Sequence, residues 1–259
     1  SYCNRLTWTV TAAWATAIRV ITTTMGAMGN TIRARLVVLV PMALLSLAVL
    51  LLAWPRFQAS FRFLPVDIAI KRYNDDQKIP SERLPVLIRF TKEALALDDH
   101  YRFYDSLSQL QLLRALDPYT PALERRPAYR LAESEAIKSL QRAPAQPATW
   151  LRVASVRWVL HDEPETIIEP WKMSIFTGRT NASLLNRRVE SGLAHYSKLD
   201  AEAVSMLRDQ LMLAWRMRSG ALVRVLARRD RDLAVTRSLL AEMDPSTLDE
   251  MEARLEKLR

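Results

Sequence analysis

Cysteine is nearly absent from this chain of 259 residues: Cys3 is the only one, and it precedes the first long apolar run. The body after that run therefore has no route to a disulfide or a thiolate metal site, which is compatible with an oxidising compartment such as a bacterial periplasm. Glycine is scarce as well, five residues in all, against a usual share of ~7%. With few flexible positions and abundant Ala, Leu and Arg, the composition favours helix. No clean period-two alternation occurs after residue 64, so half-buried strands are not expected. Histidine is limited to His100, His161 and His195. No two of them stand three or four apart, which removes a local metal pair on a helix. Nucleophile elbow, phosphate loop, dinucleotide fingerprint and His-Glu-x-x-His are missing too. The expectation is a protein that is not an enzyme and has no catalytic residue, cofactor or metal ligand.

What the chain does have is Leu36 to Trp54, LVVLVPMALLSLAVLLLAW, without a single charge. Some nineteen helical residues at ~1.5 Å each cover roughly the 30 Å hydrocarbon thickness of a bilayer. In lipid a lone segment satisfies its backbone only as a helix, and Pro41 lies near the start, where one lost bond is tolerable. A secretory signal has a shorter apolar core and a small-x-small cleavage site. Here the run ends in Trp54-Pro55-Arg56-Phe57, and a cut after Ala59 would set Phe57 where a small residue is required. An uncleaved transmembrane helix over 36–54 is expected. Trp54, Phe57 and Phe61, with Phe63, Arg56 and Arg62, suit the interface at its end; the competing expectation is a loop that packs on the soluble domain.

Charge orients the span. Residues 1–35 carry Arg5, Arg19, Arg33 and Arg35 and no acid, which predicts a cytoplasmic N-terminal segment and a periplasmic C-terminal body on a single-pass protein of the bacterial inner membrane. Arg56, Arg62, Lys71 and Arg72 beyond the span reduce the contrast. Met25 or Met28, followed by Asn30-Thr31-Ile32-Arg33-Ala34-Arg35, makes a conventional start to an anchor, so the first two dozen residues are expected to be dispensable for insertion. The net charge is +9, of which the N-terminal segment supplies four, leaving +5 on the remainder. That excess is too mild to indicate nucleic acid; it suits an anionic lipid surface or an acidic polysaccharide.

After a juxtamembrane linker over 55–80, residues 81–259 show helical periodicity. Ser81 is a candidate cap, and Leu84, Leu87, Ile88, Thr91, Ala94 and Leu95 recur at helical spacing to about Leu97. Asp98-Asp99 opens a second helix ending at Asp117-Pro118. A third runs from Pro121 or Ala128 to Ala143, before Pro144 and Pro147. Helical stripes follow over Leu184–Leu193, Ala203–Trp215, Leu222–Ala227 and Leu233–Ala241. Leu248, Met251, Leu255 and Leu258 form the stripe of a last helix, expected to cap the stack. The fold class is thus all-α: an N-terminal transmembrane helix, then stacked antiparallel helical hairpins in a degenerate α-solenoid.

Ala136, Leu140 and Ala143 before Pro147, then Trp150, Val153 and Ala154, resemble the small–large–small grammar of tetratricopeptide repeats. Thr166 and Pro170 depart from it. Trp171-Lys172-Met173-Ser174-Ile175-Phe176-Thr177-Gly178, followed by Leu211-Met212-Leu213-Ala214-Trp215-Arg216, is similar to the tetratricopeptide-like, single-span proteins encoded in bacterial exopolysaccharide gene clusters. That resemblance implies an accessory envelope scaffold that holds protein partners, and not a glycosyltransferase.

The most specific feature outside the packing pattern is basic: Arg216, Arg218, Arg224, Arg228, Arg229 and Arg231. Arg224, Arg228 and Arg231 share one helical face. A row of guanidinium groups suits phosphates, carboxylates or sulfated sugars; the competing expectation is a solvated face neutralised by Asp230 and Asp232. Arg216, Arg224, Arg228 and Arg231 are the candidate polyanion or partner site. Trp150, Trp158, Trp171, Tyr196 and Trp215 are expected in the core rather than as sugar platforms. Asp162, Glu163, Glu165 and Glu169 offer an acid/base pair, but Pro164 explains them equally as helix-start residues.

Overall fold

The computed structural model describes residues 32–75, 77–230, 233–240 and 245–257. Among the described residues ten α-helices and two short 3-10 turns account for the regular structure, and no strand occurs. The all-α expectation holds. The chain divides into two compact units, Ser1–Gln58 and Ala59–Arg259, and the N-terminal segment 1–31 with its candidate start at Met25 or Met28 lies outside the described residues.

Helix α1 spans Ile32–Asn74. Its described part contains a window long and apolar enough to cross a membrane, and none of that window is buried. Leu39, Leu44, Leu45, Leu47, Leu50, Leu51 and Leu52 all stand exposed, far more contiguous apolar surface than a water-facing helix carries. Residues 55–74, expected within a linker, are helical despite Pro55 and Pro65.

In the second unit the core begins on α1 itself. Ala59, Phe63 and Val66, spaced three and four apart, are buried with Leu84, Leu87 and Ile88 of α2 (Leu84–Leu95) and with Phe103, Leu107 and Leu110 of α3 (Tyr101–Leu116). Phe63 packs on Phe103 at 4.7 Å between ring centres. It therefore belongs to the core and not to an interface belt, a correction that the i, i+4 register with Ala59 explains. Ser81 makes no side-chain cap; Pro80 precedes a 3-10 turn over Ser81–Arg83 that leads into α2. Helix α3 starts after the Asp98-Asp99 pair expected to open it, at Tyr101, where the His100 ring accepts the Arg102 N–H at 3.3 Å. Asp99 is held instead by a two-pronged bond from Arg142 at 2.8 and 2.9 Å.

The next helices are α4 (Ala122–Arg142), α5 (Pro147–Leu160) and α6 (Pro164–Thr177), each packed against its predecessor. Short turns between packed neighbours make the pairs antiparallel hairpins. Ala128, Ala132 and Ala136 put a buried small-residue stripe on α4, so α3 comes close enough for Ser108 to donate to the Ala132 carbonyl at 2.7 Å. Pro127 and Pro170 lie inside α4 and α6 and end neither. Helices α2 to α6 have 12, 16, 21, 14 and 14 residues, so the stack has no constant repeat length of the kind a regular solenoid requires.

Helices α7 (Leu185–Ala194) and α8 (Ala201–Arg229) close on α5 and α6 around the largest apolar cluster, which includes Trp171, Leu185, Val189, Leu207 and Leu211. Gly192 lets α7 approach closely there: a Cβ would stand 2.6 Å from Leu207 Cδ1 and 3.1 Å from Trp171 Cζ2, so the leucine tip would have to move. Two short helices, α9 (Ala234–Leu240) and α10 (Pro245–Glu256), finish the chain. Met251 and Leu255 are buried in the same cluster, so α10 packs on the stack. Leu258 is outside the described residues.

Candidate functional site

The basic face lies on α8, and the helix is not straight. Arg218 has non-helical backbone angles (φ −146°, ψ 41°), and Ser219-Gly220 follow, a pair that commonly marks a kink. Arg254 of α10 secures the bend, stacking on Trp215 at 4.9 Å and donating to Ser219 Oγ at 2.8 Å. The consequence is that Arg216 lies on the other side of the kink from Arg224 and Arg228, so one continuous row does not form. Arg231 falls outside the described residues.

Arg224 and Arg228 remain one turn apart, both exposed, and line a shallow cavity of about 520 Å³ with Asn186, Arg187 and Glu190 of α7. Arg187 was not legible as a member of this group, since only the packing of α7 on α8 brings it there. Among the described residues neither Arg187 nor Arg224 has a carboxylate partner. Glu190 moderates the site: its Oε1 lies 3.7 Å from Arg228 and 3.3 Å from Arg229. Arg229 turns away to stack on Trp158 at 5.1 Å. Asp230, expected to neutralise the row, is buried and accepts the Val235 and Thr236 N–H groups at 3.2 and 2.6 Å and the Thr236 hydroxyl at 2.7 Å. It caps α9 and does not pair with Arg187 or Arg224; Asp232 is outside the described residues. Chemically the cavity presents guanidinium donors and positive charge beside the single carboxylate of Glu190.

The arginine of the adjacent position does something different. Arg188 is completely buried, and among the described residues its guanidinium meets no carboxylate. It donates to the Ser174 carbonyl and, at 3.0 Å each, to Ser174 Oγ, the Gly178 carbonyl and Gln210 Oε1. Burial pushes its pKa down to about 10, so it is charged at neutral pH. Ser174 and Gly178 sit at the C-terminal end of α6, where carbonyls lack helical partners and the macrodipole favours a cation. Arg188 thus locks α6 to α7 and α8.

Of the acidic residues around the α5–α6 turn, Asp162 is engaged in structure, while Glu163, Glu165 and Glu169 are exposed. Asp162 takes two bonds from Arg130, at 2.9 and 3.0 Å, and Glu163 is the residue that precedes α6. No group of three His, Cys, Asp or Glu poised to hold a metal occurs among the described residues. His161 stands in the left-handed region (φ 57°) and ends α5, with Asp162 N–H reaching the Arg157 carbonyl at 3.0 Å. Trp171 is buried, donating to the Arg188 carbonyl at 2.9 Å. Trp158, Tyr196 and Trp215 are half-buried against the same cluster and Trp150 against a smaller one, so they serve packing.

The expected membrane-interface residues Trp54, Phe57 and Phe61 are all exposed, with Trp54 and Phe57 stacked at 6.0 Å. Aromatic rings so displayed fit a headgroup region. Compared with known protein families and with curated proteins, the chain matches none.

Proposed function

We propose that this chain is a membrane-anchored helical scaffold of the bacterial cell envelope, accessory to exopolysaccharide assembly or export, with its helical body on the periplasmic side. The observation that carries the reading is the apolar, exposed length of α1 joined in one chain to a cysteine-free stack of helical hairpins. A stack of this kind holds together through neighbour contacts and leaves long surfaces for partners. The scaffold works by presentation, and no step of covalent chemistry is assigned to it. A photo-crosslinker at exposed positions of α3 to α6, in native membranes, is expected to capture an envelope protein at a subset of positions clustered on one face. Capture at no position, or an enzymatic activity lost on Asp162→Ala with folding intact, would contradict the scaffold.

A second reading has its own observation: Arg187, Arg224 and Arg228 converge on one cavity from two helices. On that reading the body binds an acidic polysaccharide, and binding weakens steeply with salt because exposed charges are screened within about 8–10 Å at 0.1–0.15 M. Alginate serves as the probe. Arg187→Ala with Arg224→Ala and Arg228→Ala is expected to abolish retention of the full chain on it; unchanged retention would reject this reading.

A further inference from the structure

Among the described residues, the α3–α4 turn groups more large exposed apolar side chains than any other connection of the body. It carries Leu116, Tyr119 and Leu123 with 57%, 84% and 92% of their surface exposed. Floppiness does not explain that display, because the turn is tied at both ends. Asp117 accepts the Tyr119 N–H through its side chain at 3.2 Å and the Thr120 N–H through its carbonyl at 3.1 Å. Thr120 is buried. Arg125 grips the turn from below, donating to the Thr120 and Pro118 carbonyls at 3.0 Å each, and Pro118 and Pro121 restrict the backbone on either side. The result is a rigid knuckle that holds two large apolar side chains almost wholly outside the body.

The charges around the knuckle are asymmetric. Glu124 is taken by Arg114 and Asp117 by the turn itself, whereas Arg126 is exposed and has no carboxylate partner among the described residues. A tyrosine and two leucines next to an uncompensated arginine match the bilayer interface: apolar side chains below the headgroups, the phenol among them, the guanidinium on a lipid phosphate. A protein partner fits less well. Three side chains are much less than the ~800 Å² per partner that a stable protein interface buries. A lipid surface needs no more, because a tethered chain meets it at high effective concentration.

We propose that the α3–α4 knuckle is a second membrane contact of this protein, docking Leu116, Tyr119 and Leu123 into the headgroup layer of an anionic bilayer. The proposal rests on the anchored reading above, and one experiment separates the two. The full chain, with Cys3→Ser and a single new cysteine at position 119, 123 or 176 carrying an environment-sensitive dye, is reconstituted into vesicles of phosphatidylcholine and phosphatidylglycerol. Phe176, 79% exposed on α6, is the control for a label that is merely apolar and accessible. Co-flotation with the vesicles tests the anchor; a lipid-borne quencher near the headgroups tests the knuckle. Expected is flotation of all three proteins, with dye at 119 and 123 quenched and blue-shifted and dye at 176 remaining in water. Flotation with equal quenching at all three positions, or with none at 119 and 123, overturns the knuckle contact while leaving the anchor intact. Failure to float overturns both.

Discussion

Replacing Arg188 by methionine tests the packing logic of the body at its most demanding point. The substitution keeps an unbranched apolar stem and removes the guanidinium. Left behind are the Ser174 and Gly178 carbonyls and Gln210 Oε1, all in a site that excludes solvent around a fully buried side chain. Each hydrogen bond from a charged donor contributes about 1.5–3 kcal/mol, but removing the cation also relieves a desolvation penalty of several kcal/mol. Gln210 retains one bond of its own, Nε2 to the Arg179 carbonyl at 3.1 Å. The balance is a loss of about 3 kcal/mol, the low end of what breaking a buried charged network costs. For a body of this size that lowers Tm by about 6–12 °C. Thermal unfolding of the full chain in detergent, followed by circular dichroism, measures it, since the apolar helix contributes a nearly constant signal. Arg188→Lys is expected to fall in between, because one ammonium cannot reach the Ser174, Gly178 and Gln210 acceptors at once. A methionine variant with unchanged or raised Tm would refute the reasoning, showing that burial of the charge outweighs its bonds.

Other expectations use the same measurement. Gly192→Ala drives a methyl group into Leu207 and Trp171 and should cost about 1–3 kcal/mol; a neutral result would mean α7 can shift on α8. His161→Gly relieves a left-handed residue at the end of α5 and should stabilise by about 0.5–1 kcal/mol, and a loss of stability would show that the imidazole matters more than its backbone. Bonds from Arg142 to Asp99, from Lys172 to Asp200 and from Arg179 to Asp209 hold these carboxyls below the usual range. A depressed folded-state pKa lends stability that is complete above the unfolded value of about 4 and disappears as pH falls through the folded one. Tm should therefore be level above pH ~5 and fall below pH ~4, and less steeply in Asp209→Asn; an identical acid limb in that variant would remove Asp209 from the account.

Helix class and most helix ends were legible because they are local properties: apolar spacing sets the face, and prolines at 121, 147 and 164 open helices cleanly. Long-range facts were less accessible. Phe63 looked like an interface aromatic beside Phe61, and only its register with Ala59 and Val66 on a helix running to Asn74 places it in the core. Asp230 looked like a counter-ion for the arginine row, yet the chain turns so that it caps α9. The apolar stripes broke between Trp215 and Leu222, and Ser219-Gly220 marked the place, but only the backbone shows one helix bent at Arg218 rather than two. Arg187 and Arg188 are adjacent letters with opposite fates. The stripe Leu185, Val189 and Gly192 puts position 188 inside and 187 outside, a signal that helical phase alone contains.

The scaffold and the knuckle contact both require that the apolar length of α1 hold the protein in lipid. Its most direct test is extraction of native membranes containing the full chain, first with high salt and then with alkaline carbonate. An integral protein stays with the sedimented membranes through both washes and is released only by detergent, and that is the predicted outcome. Recovery of the full-length chain in the salt or carbonate wash would contradict the anchor, and with it both the scaffold and the knuckle contact.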